Sequence, residues 1–280
     1  MIMKFKDQEQ ENLVVSQAWN LLYQRLENDG LLPCKSIKTG HNYLTVKIAV
    51  AAALVACIFL GWYLYKGAAM QEVHNEANAP VLAKMLEDGT VVYLSEQASL
   101  KVPGQFDKTK REVSLQGDAF FDIKSRNGCP FIIHTDVADV EVTGTSFKIK
   151  SGSGGATFVL SVREGEVRVS QKKKPQTIIV QTGETVFFDS DRLQLKKNDT
   201  GFDNYFKRIH FKDENLVDVA TIINLHSDSL QMKVDPAIEN RITCTIDGNS
   251  SLVEIAELIC LASDLQFSQK DTIIYISKQK

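Results

Sequence analysis

The sequence predicts a mainly β protein with a C-terminal α+β domain, preceded by a short helical tail and one membrane-spanning helix. Three observations lead to this fold class. Residues 48–65 contain no charged side chain. Between residues 90 and 189, short alternating apolar runs follow one another, separated by turn residues. Helical periodicity returns only after Thr200, in two segments set among further short strands.

The first predicted helix covers residues 7–28 of the tail. An apolar stripe recurs along it at helical spacing and consists of Val15, Ala18, Trp19, Leu22 and Leu26. One helix cannot bury such a stripe by itself, and the tail offers no second helix for it to pack on. The stripe therefore predicts either a groove on a partner protein or the inner surface of a membrane. The scarcity of Lys and Arg in this helix favours the groove.

The uncharged stretch Ile48–Tyr65 predicts a transmembrane helix. As a helix it would span about 27 Å, close to the ~30 Å hydrocarbon core of a bilayer, whereas a buried helix is rarely apolar on every face. Lys35, Lys38 and Lys47 precede it with no acid among them, which places the tail in the cytoplasm. We expect a retained anchor, because the apolar region of a cleaved signal peptide would be shorter and begin nearer the N-terminus.

Residues 67–81 have little periodicity and predict a linker. The runs that follow predict an all-β domain, since no helical period interrupts them. The predicted strands are Thr90–Leu94, Arg111–Leu115, Ala119–Ile123, Phe131–His134, Asp139–Thr143, Ser146–Lys150, Thr157–Val162, Val167–Ser170, Thr177–Gln181 and Thr185–Asp189.

A weak internal repeat runs through this domain. Gly117, Gly165 and Gly183 each stand before an acid and an apolar strand, and Gly89 belongs to a looser copy. We expect each of these glycines to adopt a positive φ where the chain re-enters the sheet. Repeated strand-turn units favour a solenoid-like stack, although their spacing is uneven, and a sandwich or barrel is the competing architecture.

The C-terminal residues predict the element order β-α-β-β-α-β-β. The two helices follow from apolar positions at helical spacing, the first starting near Asp213 and the second near Asn249 or Ser250. The predicted elements are a strand within Asn204–Phe211, helix Asn215–His226, strands Leu230–Val234 and Arg241–Ile246, a helix through Ile259, and strands Leu265–Ser268 and Thr272–Ile276. Two helices on one face of a small mixed sheet is the simplest packing for this order.

Composition and spacing argue against several function classes. The net charge is −3 and no basic stripe is present, so we expect no direct nucleic-acid contact. No Cys/His metal spacing, paired histidine motif or Ser/His/Asp arrangement occurs, so we predict no enzyme activity, metal or cofactor. Cys244 and Cys260 could form a disulfide, or they and Cys129 could be small buried apolar residues.

Six short motifs then occur in an order that resembles the FecR family of transmembrane anti-sigma regulators. They are Asp88-Gly89-Thr90-Val91-Val92-Tyr93-Leu94, Gly117-Asp118-Ala119-Phe120-Phe121-Asp122-Ile123, Pro130-Phe131-Ile132-Ile133-His134-Thr135, Val140-Glu141-Val142-Thr143-Gly144-Thr145-Ser146-Phe147, Glu164-Gly165-Glu166-Val167 and Thr182-Gly183-Glu184. The resemblance covers roughly residues 82–190. The segment from Phe211 to Ile276 is similar to the short N-terminal domain of secretins and TonB-dependent proteins.

The resemblance implies a regulatory function. It implies that the inner tail binds a cytoplasmic extracytoplasmic-function (ECF) sigma factor, with Val15, Ala18, Trp19, Leu22 and Leu26 as the contact stripe. It implies that the outer part senses the signalling domain of an outer-membrane TonB-dependent transporter, and that regulatory proteases can release the sigma factor. The expected location is the inner membrane of a Gram-negative bacterium, with the N-terminus in the cytoplasm and the C-terminus in the periplasm. The alternative is a docking component of an envelope assembly that uses the C-terminal domain.

Gly144-Thr145 carries a second expectation that comes with the resemblance. A threonine hydroxyl can attack the preceding carbonyl of a strained peptide, which gives an N→O acyl shift and then cleavage. A tight turn with a buried threonine is the alternative. The chain is thus expected to contain a sigma-factor-binding helix (1–46), a transmembrane helix (47–66), a linker (67–81), a FecR-like all-β domain (82–198) and a short α+β domain (199–280).

Overall fold

A computed structural model of the protein describes residues 3–30, 42–67, 70–152, 157–189, 192–197, 202–227 and 229–279. The chain divides into two compact units, Met1–Gly61 and Trp62–Lys280. The helices are α1 (Met3–Asn28), α2 (Asn42–Gly67), α3 (Leu216–Asn224) and α4 (Leu252–Ser263). The strands are β1 (Met70–His74), β2 (Val81–Met85), β3 (Val91–Leu94), β4 (Ser99–Pro103), β5 (Arg111–Asp122), β6 (Phe131–His134), β7 (Ala138–Val142), β8 (Ser146–Ser151), β9 (Phe158–Glu164), β10 (Glu166–Gln171), β11 (Thr177–Gln181), β12 (Glu184–Asp189), β13 (Arg192–Lys197), β14 (Arg208–Asn215), β15 (Gln231–Val234), β16 (Arg241–Asp247), β17 (Leu265–Lys270) and β18 (Ile273–Lys278).

The first unit contains α1 and most of α2. Helix α1 ends at Asn28 as predicted and begins at Met3, earlier than predicted, while Gly30 beyond its end has φ +68°. Helix α2 includes the whole uncharged stretch 48–65. Among the described residues, no helix satisfies the combined requirement of length and apolarity for crossing a membrane. Lys35, Lys38 and Cys34 lie outside the described residues.

Strand β5 joins the two halves of the all-β fold. Its first half pairs with β4 and β6, and its second half pairs with β3 and β8. The two predicted strands Arg111–Leu115 and Ala119–Ile123 are therefore one continuous strand. Gly117 lies at the change of partners with φ +89°, and a Cβ there would lie 2.8 Å from Cα of Ala98. Sharing β5 lets the sheet fold back on itself.

The two halves of the folded sheet enclose one apolar core. Phe131, Ile133 and Val140 reach it from one half, and Phe121 and Phe147 reach it from the other, with their rings stacked at 5.5 Å. Most of the strand pairs are antiparallel, which suits a folded sheet rather than stacked parallel coils. The four repeat glycines have the expected positive φ, between +79° and +93°.

Four strands of the structure are not predicted from the sequence, and one of them lies in the predicted linker. Strand β1 falls within residues 67–81 and pairs with β4 from Met70↔Pro103 to His74↔Ser99, so this stretch is not a plain linker. Its side chains are mostly exposed, and its sequence shows no alternation of apolar and polar residues that would predict a strand. Strands β2, β4 and β13 were also missed. Asn75, which follows β1, is buried and donates to the carbonyls of Pro80 and Leu94.

The C-terminal part has the predicted element order, but its strands form two sheets rather than one. Strands β15, β18 and β17 form a separate sheet, while β14 and β16 extend the large sheet. The cause is a short parallel pairing between β14 and β2, with Ile209 opposite Val81. The helix caps are Asn215 and Ser251, slightly beyond the predicted cap positions.

The C-terminal elements pack against the outer face of the all-β sheet. Ala83, Val91, Tyr93 and Phe120 point away from the first core and join a second one with the residues of α3 and α4. Strand β3 is consequently buried on both faces, which explains its uninterrupted apolar sequence. The predicted domain boundary between residues 198 and 199 lies in the segment 198–201, which is outside the described residues.

Candidate protein-interaction sites

The stripe on α1 is a set of exposed apolar side chains. Val15 is 52% exposed, Trp19 60% and Leu22 47%, while Ala18 is exposed and Leu26 is half-buried. Exposed large apolar groups on one helical face are the ordinary signature of a binding surface. The structure therefore places the five predicted contact residues where a partner could reach them.

Gly144 and Thr145 form a tight bend in the all-β domain. Thr145 is buried, and its Oγ1 donates a 3.0 Å hydrogen bond to the carbonyl of Glu166. A Cβ on Gly144 would lie 2.5 Å from Cβ of Ser125, so only glycine fits this position. The hydroxyl therefore has a structural partner of its own. Cleavage at this peptide bond stays a prediction.

An aromatic cluster lies at the junction of the all-β and C-terminal parts. The Tyr93 hydroxyl and Nε2 of His226 share a 2.6 Å hydrogen bond, and both rings contact the ring of Phe206. Burial raises the pKa of Tyr93, and the nearby Asp122 raises it further. Burial also lowers the pKa of His226, with help from Arg163. Both shifts favour neutral partners, so the junction is held by a neutral hydrogen bond.

A second polar contact crosses the same junction. Nζ of Lys84 on β2 lies 2.5 Å from Oε1 of Glu214 on β14. The Glu214 side chain is almost fully buried, and burial raises its pKa while the lysine opposes that rise. Breaking the pair would leave a buried carboxylate alone. The contact therefore fixes how β14 lies against β2.

A buried ion pair stabilises the all-β part itself. Nη1 of Arg111 lies 2.6 Å from Oδ2 of Asp88, and the two side chains are 0% and 1% exposed. Arg111 also donates to the carbonyls of Cys129 and Lys124, and its guanidinium lies over the ring of Phe131. The cation is thus fully paired with acceptors drawn from several loops.

Sequence reasoning missed these polar pairs for a simple reason. Asp88 was read as part of a turn and Arg111 as the start of a strand, and nothing in the sequence relates two positions so far apart. Nothing in the sequence pairs His226 with the distant Tyr93 either. The one usable signal in the sequence is a cation, Arg111, at the start of an alternating strand.

The cysteines resolve one of the open alternatives. Cys129, Cys244 and Cys260 are free thiols, so Cys244 and Cys260 do not form a disulfide. Cys129 and Cys260 are buried, and Cys244 is half-buried on β16. Burial raises the pKa of the Cys244 thiol to about 11 and also raises that of Cys260. Both thiols are therefore poor nucleophiles at neutral pH.

Two crystal structures, at 1.65 and 2.50 Å resolution, of a "putative anti-sigma factor" from Parabacteroides distasonis are similar to the chain. Each shows 22% identity and a TM-score of 0.46, with 75% or 76% of this chain and 100% of that chain covered. No curated protein matches the sequence.

The family comparison concerns the all-β part. Residues 79–168 match the family model described as "FecR protein". This range runs from just before β2 through the first half of β10 and includes the buried Arg111–Asp88 pair and the Gly144–Thr145 bend. It confirms the resemblance drawn from the motifs over those strands. The chain therefore carries a FecR domain at residues 79–168.

Proposed function

We propose that this protein is a FecR-type anti-sigma regulator that controls transcription through an ECF sigma factor. The match of residues 79–168 to the FecR family carries the proposal. The exposed stripe of Val15, Trp19 and Leu22 supports it, because an anti-sigma factor needs a surface outside its sensor domain that another protein can cover. Binding and release are the action of the protein, and no reaction on a substrate is part of the proposal.

The proposal includes a membrane anchor in helix α2, which follows the α1 stripe in the sequence and precedes the FecR domain. It is supported by the uncharged stretch 48–65 and by the lysines that precede it. The tail then lies in the cytoplasm, and the FecR domain lies in the periplasm. Fusing alkaline phosphatase to the C-terminus tests this, since that reporter is active only outside the cytoplasm. An inactive fusion that accumulates at normal levels would contradict the topology.

The outer unit is proposed to read the signalling domain of an outer-membrane TonB-dependent transporter. The C-terminal part is joined to the FecR domain by strand pairing, the Lys84–Glu214 contact and the Tyr93–His226 hydrogen bond. A ligand bound to either part would therefore act on one connected body rather than on a loosely tethered module. Regulatory proteases acting on the chain are the proposed route from this event to release of the sigma factor.

The decisive experiment recovers the full-length chain from its native membranes and identifies the proteins bound to it. We expect an ECF sigma factor with the wild-type chain. Trp19→Ala removes the largest side chain of the stripe and should weaken binding by about 2 kcal/mol or more, roughly 30-fold. Gln24→Ala is the control, because Gln24 is exposed on the opposite face of the same helix. A wild-type chain that brings down no sigma factor would refute the proposal.

Self-cleavage at Gly144-Thr145 is a separate part of the proposal and has its own test. Intact-mass measurement of the expressed chain should show a fragment that begins at Thr145 if the acyl shift occurs. Thr145→Ala removes the nucleophile and should abolish that fragment. If the wild-type protein has only the mass of the intact chain, the bend has a structural role alone.

A further inference from the structure

Strand β16 ends the large sheet, and its outer side is open. Within the described part of the chain, β16 pairs with β14 on one side and with no strand on the other. The Gly248 N–H donates to the Lys207 carbonyl, and the Asn240 carbonyl accepts from the Leu216 N–H. The direction of the backbone N–H and C=O groups alternates along a strand. In β16 these groups point toward β14 at even-numbered residues and toward the open edge at odd-numbered residues. Thr243 and Thr245 therefore offer their backbone N–H and C=O groups to a further strand.

The sequence of β16 is self-complementary. It reads Arg-Ile-Thr-Cys-Thr-Ile-Asp from Arg241 to Asp247, which is a palindrome around Cys244 except that its two ends carry opposite charges. In an antiparallel pair of two such strands, isoleucine would oppose isoleucine and threonine would oppose threonine. Arg241 would oppose Asp247 of the second copy at both ends. A parallel pair would instead oppose like charges, which is unfavourable.

The two faces of β16 suit this arrangement. Ile242 and Ile246 are buried toward the helices, while Arg241 and Asp247 are exposed on the other face. Arg241 already bonds the carboxylate of Asp213 but stays half exposed, so it can accept a second carboxylate. The antiparallel register keeps apolar residues over apolar residues and charged residues over opposite charges. A shift by one residue would lose both matches.

Helix α4 adds an apolar flank to the open edge. A groove of about 530 Å³ runs between β16 and α4, and Leu258 and Leu261 on its wall are 60% and 85% exposed. A two-fold axis perpendicular to the sheet through Cys244 would place both copies of α4 on the same face of the joined sheet. The exposed leucines of the two copies would then flank the axis and could be covered together.

We propose that the protein forms a two-fold symmetric dimer in which β16 of one copy pairs antiparallel with β16 of a second copy, centred on Cys244. The observation that selects a second copy as occupant is the charge-complementary palindrome from Arg241 to Asp247. The dimer extends the large sheet across two chains and closes its open edge. This inference goes beyond the proposed regulatory function and does not depend on it.

The pairing makes a geometric prediction about Cys244. An even-numbered residue on the axis forms a non-hydrogen-bonded pair, with Cα atoms about 4.5 Å apart. That separation lies within the range of about 4.4–6.8 Å that a disulfide requires. Joining the two thiols as a disulfide releases two electrons and two protons, so an added oxidant such as copper-phenanthroline accepts the electrons.

The test uses the full-length chain in membranes, with Cys34→Ala and Cys57→Ala to remove the thiols outside the Trp62–Lys280 unit. Copper-phenanthroline should produce a reducible band at twice the 31.3 kDa chain mass. The band should disappear in Cys244→Ala and persist in Cys260→Ala. A folded chain that gives no such band, a band that survives Cys244→Ala, or Cys244 joined to a different protein would each overturn the dimer.

A matched pair of variants tests the strand pairing itself. Thr245→Pro removes a backbone N–H that points to the open edge, a position where proline is tolerated in edge strands. Thr245→Ala loses the same hydroxyl and its contact with His210 but keeps the N–H. We expect the dimer band to be lost in the first variant and kept in the second, with protease resistance reporting on folding. Equal bands in two folded variants would contradict pairing through β16, and if Thr245→Pro does not fold, the Cys244 result decides.

Discussion

Helices α1 and α3 both carry apolar residues at helical spacing, but they place them in opposite surroundings. On α3, Leu216, Val219 and Ala220 are at most 3% exposed, because the two sheets cover them. On α1, Val15 and Trp19 are more than half exposed. The same pattern thus encodes an internal core in one unit and an uncovered surface in the other.

This difference in exposure predicts that substitutions in the two helices affect different properties, either stability or partner binding. Changes in the buried groups of the Trp62–Lys280 unit should act on stability, because its core side chains and the Arg111–Asp88 pair have partners within the chain. Changes on the α1 stripe should act on binding and leave stability alone. The following predictions test that separation from the largest expected change in stability to the smallest.

Replacing Arg111 with Met should cause the largest loss of stability. It leaves Asp88 buried without its cation, and breaking a buried ion pair in this way costs about 3–5 kcal/mol. Pulse proteolysis of the full-length chain in urea measures the change in the free energy of unfolding. Arg168→Met is the control, because its contact with Glu141 is exposed and such pairs contribute about 0–1 kcal/mol. Similar losses for the two variants would refute the central role of the buried pair.

Two glycine variants should separate backbone strain from steric crowding. Gly117→Ala and Gly183→Ala both put a side chain at positive φ, which costs roughly 1–2 kcal/mol. Only at Gly117 would the new Cβ press on the backbone of Ala98, since no atom lies within 4 Å of that position at Gly183. We expect Gly117→Ala to cost about 1–3 kcal/mol more. Equal costs in urea titrations would show that the bend in β5 does not need this close approach.

Gly117 shows which structural features the sequence predicts and which it does not. The positive φ at Gly117 followed from its place before an acid and a strand, and the structure confirms it. The crowding against Ala98 could not be foreseen, because it arises from the return of β4 beside β5. Local conformation was readable from local residues, whereas contacts set by the order of strands in the sheet were not.

The same limit applies to the strands and the sites. Strands with a compact apolar run, such as β6 and β11, have the predicted bounds. Strand β1 has only Met70 and Val73 as apolar residues, and its sequence predicts a linker. The element order of the C-terminal part was predicted, but its division into two sheets depends on β14 pairing with the distant β2. The α1 stripe was predicted because a helix needs only its own sequence to define a face.

Acidification should weaken the junction held by His226. Its pKa is lowered by burial and by Arg163, so the neutral form contributes stability above its ordinary value of 6.5. That contribution is lost as the pH falls below 6.5 and through the lowered pKa. The free energy of unfolding of the wild-type chain should therefore fall relative to that of His226→Gln between about pH 8 and pH 5. A constant difference across that range would show that the histidine does not titrate with unfolding.

The smallest change in stability is expected for Trp19→Ala, although this variant should have the largest effect on partner binding. The Trp19 side chain is 60% exposed on α1, so its removal leaves no cavity in a packed core. Substitutions at such positions change the free energy of unfolding by about 0.5 kcal/mol or less. Urea pulse proteolysis of the Trp62–Lys280 unit within the full-length chain should give the wild-type midpoint. A shifted midpoint would mean that the stripe is bound by the outer unit, and that α1 and α3 are used in the same way after all.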